Sequence, residues 1–262
     1  MKYKLKRQCL DVRDKKFHII YKQILSDKLP NELNLRNIIK LPVLAQGKLG
    51  SCTANATSNA ILFFLKRTKK KEFQPSRLYI YYFSRLIENN IEIDSGCDLR
   101  NVMKAVANYG ACEENTLPYN IENFKQCPNE YCIKEGKLKI KNFKYLSIDQ
   151  DLNIIKNCIF QGYPIILGIE LYESSEYKEN LISGNIPIPD TDNEEYLGGH
   201  CVLLIGYDDT TQIFCFLNSW GDDVGDNGCD PGYYLSPAYV TQAVYILKLG
   251  STDVISEVAS KS

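Results

Sequence analysis

The chain is poor in the residues that carry most acid–base and metal chemistry. Only two of its 262 residues are histidine, His18 and His200, and only one, Trp220, is tryptophan. Any imidazole base is therefore one of two side chains. Net charge is almost absent, with 31 Lys+Arg against 32 Asp+Glu. That balance gives no support for a nucleic-acid or membrane partner. No apolar run approaches the length of a membrane helix, and "AILFFL" is far too short. The basic start, "MKYKLKRQCLDVRDKKFHII", has no long apolar core and no small-residue cleavage site, so no signal peptide is expected. Internal repeats, low-complexity segments and a glycine-rich phosphate loop are also lacking, and no cofactor is expected.

What the chain does have is cysteine, ten in all. In a short secreted chain that count would suggest a disulfide framework. Without a signal peptide the expectation is a reducing interior, cytoplasmic or otherwise intracellular (or a virion, if the source is viral), with most cysteines as thiols. "CPNEYC", Cys127 to Cys132, resembles half of a zinc site, but a partner pair is missing and the spacing is wide. A loop with two free cysteines or one local disulfide is the preferred reading, and no metal site is expected.

Residues 1–29 read as a polar leader. "LPNELNLRN" then enters a loop that runs to "LAQGKLGSC". A helix is predicted from about Cys52 to Lys66, with Ala56, Ala60, Phe63 and Phe64 among its apolar positions. A second helix begins at Ser76 as N-cap, with Leu78, Tyr81, Tyr82, Leu86 and Ile87 as its stripe. "DLRNVMKAVANYG" is a third, closed by Gly110. After about residue 140 the pattern changes. "NFKYLSI" reads as a strand and "DQDLNIIKNCIFQG" as a helix. The runs "YPIILGIEL", "HCVLLIGYD", "IFCFLNSW", "GYYLSP" and "AVYILKL" then read as strands, rich in β-branched and aromatic residues. A helical half followed by a β half argues for an α+β architecture of two lobes, about 45–140 and about 141–249, and not for alternating β-α units. Residues 250–262 read as a polar tail.

Four residues stand out chemically. Cys52 lies at a predicted helix start, where free N–H groups and the dipole favour a thiolate. The small residues Gly50, Ser51 and Ala54 leave room for a substrate backbone. A buried cysteine packing as a small hydrophobe is the bland alternative. His18 sits in the leader and reads as a solvated surface residue. His200 follows two glycines at a strand start, facing a cleft or satisfied within the core. Asn218, in "FLNSWGDD", can accept the imidazole N–H and fix its tautomer without adding charge, with Trp220 as a shield. Alone it is equally a turn asparagine.

Taken together, "QGKLGSCTANA", "GGH" and "NSWG" resemble the papain/cathepsin family of cysteine peptidases. The order Gln, Cys, His, Asn is kept. His200 falls within the family's usual spacing of roughly 130–150 residues after the cysteine, and Asn218 a little beyond it. The resemblance covers about residues 30–249 and includes "YG" and "ENTLPY" at 109–119. "GGH" and "LISGNIPI" look like the cathepsin B branch. "GSCTANA", "PSRLYIYY" and "LGGHCVLLIGYDD" look like compact papain-like peptidases of bacteria and giant viruses. The resemblance implies a papain-like fold, a helical lobe against an antiparallel β-barrel-like lobe with the site in the cleft between. It implies Cys52 as nucleophile, His200 as general base and acid, Asn218 as its orienter and Gln46 as oxyanion donor. Gly168, Gly198, Gly199 and Trp220 would bind substrate, and the substrate would be a protein or peptide.

The sequence also departs from the family. Leu49 stands where a disulfide cysteine is usual, which leaves Cys97 without its usual partner. Thr53 replaces an aromatic residue after the nucleophile. The second tryptophan of the glycine-rich stretch is absent near Val224, and "GCDP" at 228–231 looks inserted. The paired histidines by which cathepsin B trims C-terminal dipeptides are missing, so endopeptidase activity is expected. An exopeptidase, a transferase or amidase on the same fold, and a binding protein with a dead site are the alternatives. The leader reads as a short prosegment plugging the cleft, or else as a solvated tail or a strand docked on the β lobe.

Overall fold

The computed structural model describes residues 3–7, 11–140 and 143–225, and the backbone of 229–233 and 244–249. The elements in chain order begin with the short helix α1 (Phe17–Ile20) and strand β1 (Glu32–Asn34). The helices α2 (Cys52–Arg67), α3 (Arg77–Ile87), α4 (Leu99–Tyr109) and α5 (Glu130–Lys139) follow. Then come β2 (Phe143–Ile148), α6 (Leu152–Phe160), β3 (Ile165–Tyr172), α7 (Lys178–Ser183), β4 (Tyr196–Asp208), β5 (Ile213–Leu217), β6 (Cys229–Tyr233) and β7 (Val244–Leu249). The predicted division into a helical half and a β half is borne out.

The helix starts follow from side-chain caps. Ser76, Asp98 and Asp151 each accept a hydrogen bond from the backbone N–H three residues on, as a short polar side chain at that position should. Helix α2 is the central element. Nearly all its side chains are buried, and the small ones let it lie between α3 and β4. Helix α3 is buried well beyond the predicted stripe, from Leu78 through Arg85, while Leu86 and Ile87 are only half-buried. Arg85 is fully buried. It donates to the carbonyls of Ile91 (2.6 Å), Ile93 (3.1 Å) and Phe124. Helix α5 was not expected. Asn129 caps it by accepting from Cys132 N–H at 2.9 Å, so "CPNEYC" spans a cap and a first helical turn. Cys127 and Cys132 are both free.

The sheet is antiparallel in the order β2-β7-β3-β4-β5-β6, with β1 also on β4. The barrel-like closure expected for the β lobe is not met. Among the described residues β2 and β6 end an open sheet. Strand β4 runs for 13 residues and changes partners along its length, from β3 to β5 and β1. A register shift between Leu204 and Gly206 lets it bend there. Part of the predicted "GYYLSP" strand lies outside the described residues, as do "GCDP" up to Gly228 and the tail.

The leader is not a solvated tail. Tyr3, Leu5, Phe17 and Tyr21 are all buried. The Phe17 ring packs on Tyr21 and Tyr163, Ser147 N–H donates to the Lys15 carbonyl at 2.9 Å, and Asp14 pairs with Arg100. His18 is not simply solvated either. Its Nδ1 lies 3.1 Å from Asp149, which also takes Lys16 at 2.6 Å.

Candidate active site

Cys52 is the first residue of α2 and is fully buried. The backbone N–H groups of Cys201, Thr53 and Cys52 lie near its sulfur and lower its pKa. Burial is the larger effect and pushes the thiol up to about 12. The helix-start argument is therefore outweighed in this closed form. Desolvation penalises the thiolate more than the helix end favours it.

The Cys201 contact places the sulfur against the residue next to His200. His200 Nε2 lies 2.8 Å from Asn218 Oδ1, and both residues are buried. Asn218 Oδ1 also accepts from Ser219 N–H at 2.7 Å, which identifies it as the oxygen. Nε2 must therefore be the donor, and the basic nitrogen of the neutral ring is Nδ1. Trp220 stacks on the imidazole at 5.0 Å with an interplanar angle of 24°, keeping water from the His200–Asn218 bond. Gln46 joins the same network. Its Oε1 accepts from Ser219 Oγ at 2.6 Å, and its Nε2 donates to Leu49 carbonyl at 3.0 Å. Backbone pairing holds the two segments together: Gln46 N–H donates to Ser219 carbonyl, and Gly221 N–H donates to Leu44 carbonyl. The structure thus brings Cys52, His200, Asn218 and Gln46 into one site from two distant parts of the chain.

The model of the papain family cysteine proteases matches residues 29–233. The chain belongs to the papain family of cysteine proteases. It is 35% identical over 239 residues to a peptidase C1-like protein of Acanthamoeba polyphaga mimivirus, covering 85% of this chain and 76% of that one. A viral cathepsin of Autographa californica nuclear polyhedrosis virus is 24% identical over 213 residues, 77% of this chain and 58% of the cathepsin. Among solved structures, xylellain, a cysteine protease from Xylella fastidiosa, is 31% identical, with a TM-score of 0.85 over 95% of this chain and 97% of that one.

Two departures in this papain-family sequence, Leu49 and Thr53, lie buried in the core. Leu49, in place of a disulfide cysteine, is 4% exposed in the core, and Cys97 is a buried free thiol. Thr53 is buried in the first turn of α2. The loop before Cys52 is held by residues that the sequence did not single out. Tyr119 OH donates to Gln46 carbonyl at 2.9 Å and shares a 2.5 Å hydrogen bond with Ser51 Oγ. Arg77 lies over the Tyr119 ring at 3.8 Å and donates to Ala45 carbonyl and Asn55 Oδ1, each at 3.1 Å. "ENTLPY" was noted in the sequence, but nothing in it said which loop Tyr119 would brace.

The leader lies across this site. Leu5 N–H donates to Gly199 carbonyl at 2.9 Å, and Lys6 N–H donates to Cys97 carbonyl at 3.2 Å. The Tyr3 ring sits 5.7 Å from that of His200 and 6.0 Å from that of Trp220. Glycine is required beneath it. A Cβ on Gly198, whose φ is +139°, would stand 2.5 Å from the Tyr3 carbonyl oxygen, and one on Gly199 would stand 2.5 Å from that of Leu5. Three of the four residues expected to bind substrate, Gly198, Gly199 and Trp220, thus meet the leader. Gly168 pairs with Cys201 within the sheet, and none of these leader contacts falls on it. A cavity of about 860 Å³ lies elsewhere, beside Leu33, Arg36, Tyr207 and Phe214.

Proposed function

We propose that this papain-family protease is an endopeptidase that works through Cys52, His200 and Asn218, with Gln46 in the oxyanion site. The observation that carries the reading is the His200–Asn218 bond set beside the sulfur at the head of α2. The Cys52 thiol gives its proton to His200 Nδ1, and the sulfur attacks the peptide carbonyl carbon. The carbonyl oxygen takes the electron pair, stabilised by the second Gln46 amide hydrogen and the backbone N–H of Cys52. The C–N bond then breaks as Nδ1–H protonates the leaving amine, leaving a thioester on Cys52. Water, losing its proton to Nδ1, attacks the thioester, and the carboxylic product departs as the thiol reforms.

Two further points support finer parts of the reading. His18 is engaged with Asp149, so no second histidine is available to hold a substrate's terminal carboxylate, which favours internal cleavage. The eight described cysteines are all free thiols, which favours a reducing compartment. We assign residues 30–249 to the peptidase domain, 1–29 to a leader that plugs the cleft and 250–262 to a tail. The direction of the leader supports the plug. His200 protonates the leaving amine, so the C-terminal side of a substrate must pass His200 and Trp220. The leader runs the opposite way, with Tyr3 at His200 and Lys6 beyond, at Cys97. It therefore blocks the cleft without presenting a cleavable bond in the productive direction.

The test is alkylation with a papain-directed epoxide followed by peptide mapping. In a chain beginning at Asp11, which frees the site, Cys52 should be labelled ahead of the cysteines that remain. Labelling spread over other cysteines, with Cys52 unmodified, sinks the assignment. For the leader, a chain beginning at Asp11 keeps the Phe17 anchor and should cleave peptides faster than the full chain. Equal activity sinks the plug.

A further inference from the structure

Gln46 is tied to two different sets of partners. Its N–H and Oε1 go to Ser219, and its neighbour Ala45 bridges Trp220. The carbonyls of Ala45 and Gln46 go instead to side chains from α3 and from the segment after α4. Tyr119 OH donates to Gln46 carbonyl at 2.9 Å. A hydroxyl has one proton to give, so Ser51 Oγ is the donor in its 2.5 Å hydrogen bond with Tyr119. Asn55 Nδ2 donates to Ser51 carbonyl at 2.9 Å and to Ser51 Oγ at 3.1 Å. Asn55 Oδ1 accepts from Arg77 Nη1 at 3.1 Å, and the same nitrogen donates to Ala45 carbonyl at 3.1 Å. The hydrogen bonds therefore close a circuit through Gln46, Tyr119, Ser51, Asn55, Arg77 and Ala45.

Arg77 is fixed on its other edge and on its face. It donates to Glu114 Oε1 through Nε at 2.9 Å and Nη2 at 2.5 Å, and its backbone N–H donates to Glu114 Oε2 at 2.9 Å. Its guanidinium lies over the Tyr119 ring at 3.8 Å. The side chains of Arg77 and Glu114 are only 12% and 17% exposed. A planar fork can stack on the ring, grip the carboxylate and reach two further oxygens at once, which an ammonium cannot. Burial raises the Tyr119 pKa, so the phenol keeps the proton that it gives to Gln46.

Neither Arg77 nor Tyr119 is among the groups assigned to the chemistry, but their circuit fixes the backbone at two points that matter to it. One is Gln46, whose amide is the first oxyanion donor. The other is the peptide between Ser51 and Cys52, whose N–H is the second. That peptide is planar, so holding the Ser51 carbonyl on Asn55 also sets the direction of the Cys52 N–H. Oxyanion donors work only if their positions are set before the charge develops. We infer that Arg77 and Tyr119 are positioning residues for acyl transfer, which hold the Gln46 amide and the Cys52 N–H as one preset pair of donors. This inference rests on the proposed roles of Gln46 and Cys52.

The test compares two reactions of the full chain: hydrolysis of a peptide amide, and alkylation of Cys52 by iodoacetamide, mapped by mass spectrometry. Both need the leader displaced and the thiolate formed, so those requirements cancel in the ratio of the rates. Only hydrolysis builds an oxyanion. Tyr119→Phe removes one oxygen and should lower kcat about tenfold to hundredfold, with KM and the alkylation rate nearly unchanged. Arg77→Lys keeps the charge without the fork and should show the same split. Added to Gln46→Ala, Tyr119→Phe should cost less than it does alone, because one of the donors it positions is gone. Equal falls in hydrolysis and alkylation, an unchanged kcat in Tyr119→Phe, or a loss that multiplies fully with that of Gln46→Ala overturns the inference and leaves the peptidase reading intact. Undiminished hydrolysis by Gln46→Ala, or the absence of a Cys52 adduct in every chain, overturns the underlying reading as well.

Discussion

Displacing the leader should change how Cys52 responds to pH, and the size of the change follows from the site. In the closed chain, burial holds the thiol at about 12. At neutral pH only about one molecule in 10⁵ then carries the thiolate. The thiolate fraction, and with it the rate of alkylation, rises about tenfold per pH unit, or about a thousandfold from about pH 6 to about pH 9. An open site has a different limit. With water admitted and a protonated His200 beside it, the thiol at the head of α2 should ionise as histidine-paired cysteines do, at about 3 to 4. The thiolate is then fully formed across the same range, and the rate should be nearly flat. The assay is iodoacetamide labelling of Cys52, followed by mass spectrometry, in the full chain and in a chain beginning at Asp11. A steep profile that becomes flat on removal of residues 1–10 is expected. A flat profile in the full chain would show that the closed site already holds an ion pair, and would refute the claim that burial under the leader controls the thiol.

The remaining predictions concern single groups. Asn218→Ala should lower kcat/KM about tenfold to hundredfold, the value of a hydrogen bond to a group that becomes charged; an unchanged value would mean His200 is oriented by something else. Gln46→Ala should lower kcat about 10²- to 10³-fold with little effect on KM, as loss of an oxyanion donor does. Arg85→Ala leaves the carbonyls of Ile91, Ile93 and Phe124 unpaired in the core. It should cost about 3 kcal/mol and lower Tm by about 6–12 °C in thermal unfolding. The leader should loosen in acid. Burial alone would raise the Asp94 pKa, but hydrogen bonds from Lys4, Tyr81 and Gly50 N–H outweigh it and hold the carboxyl below its usual value. A depressed pKa contributes stability above the group's ordinary range, and that stability is lost as pH falls through the lowered value. The protection of the amides of residues 3–7, measured against their intrinsic exchange rates at each pH, should therefore fall in acid, and unchanged or greater protection there would contradict the latch.

Much of the site could be read in the sequence because its chemistry restricts residue type. A nucleophile at a helix start, one imidazole after two glycines, and an asparagine two residues before the only tryptophan leave few other readings. The cap at Ser76 made one helix start legible for the same reason, and Asp98 and Asp151 cap two more in the structure. The carboxylates facing the leader were not legible. Asp94, Glu88 and Glu170 sit among other acids, and only the fold shows that they are sheltered and paired with Lys4, Lys6 and Arg7. The leader itself carries a strand signal. In "YKLKR", apolar Tyr3 and Leu5 alternate with Lys4 and Lys6 at the period of a strand, and the bridge from Leu5 to Gly199 uses it. Strand β4 carries a register shift between Leu204 and Gly206, which periodicity cannot report. Arg85 shows the opposite limit. A charge inside a helical stripe reads as solvent-facing until three carbonyls are found around it.

The central claim is that a peptide acyl group is carried on the Cys52 sulfur. Rapid acid quench of the protease during turnover of a peptide ester, followed by mass spectrometry of the proteolytic fragments, tests it most directly. The account predicts an acyl mass on the fragment containing Cys52, labile to hydroxylamine as a thioester is, and no such adduct or turnover in Cys52→Ala. An acyl adduct on any other residue, or undiminished hydrolysis by Cys52→Ala, would contradict it.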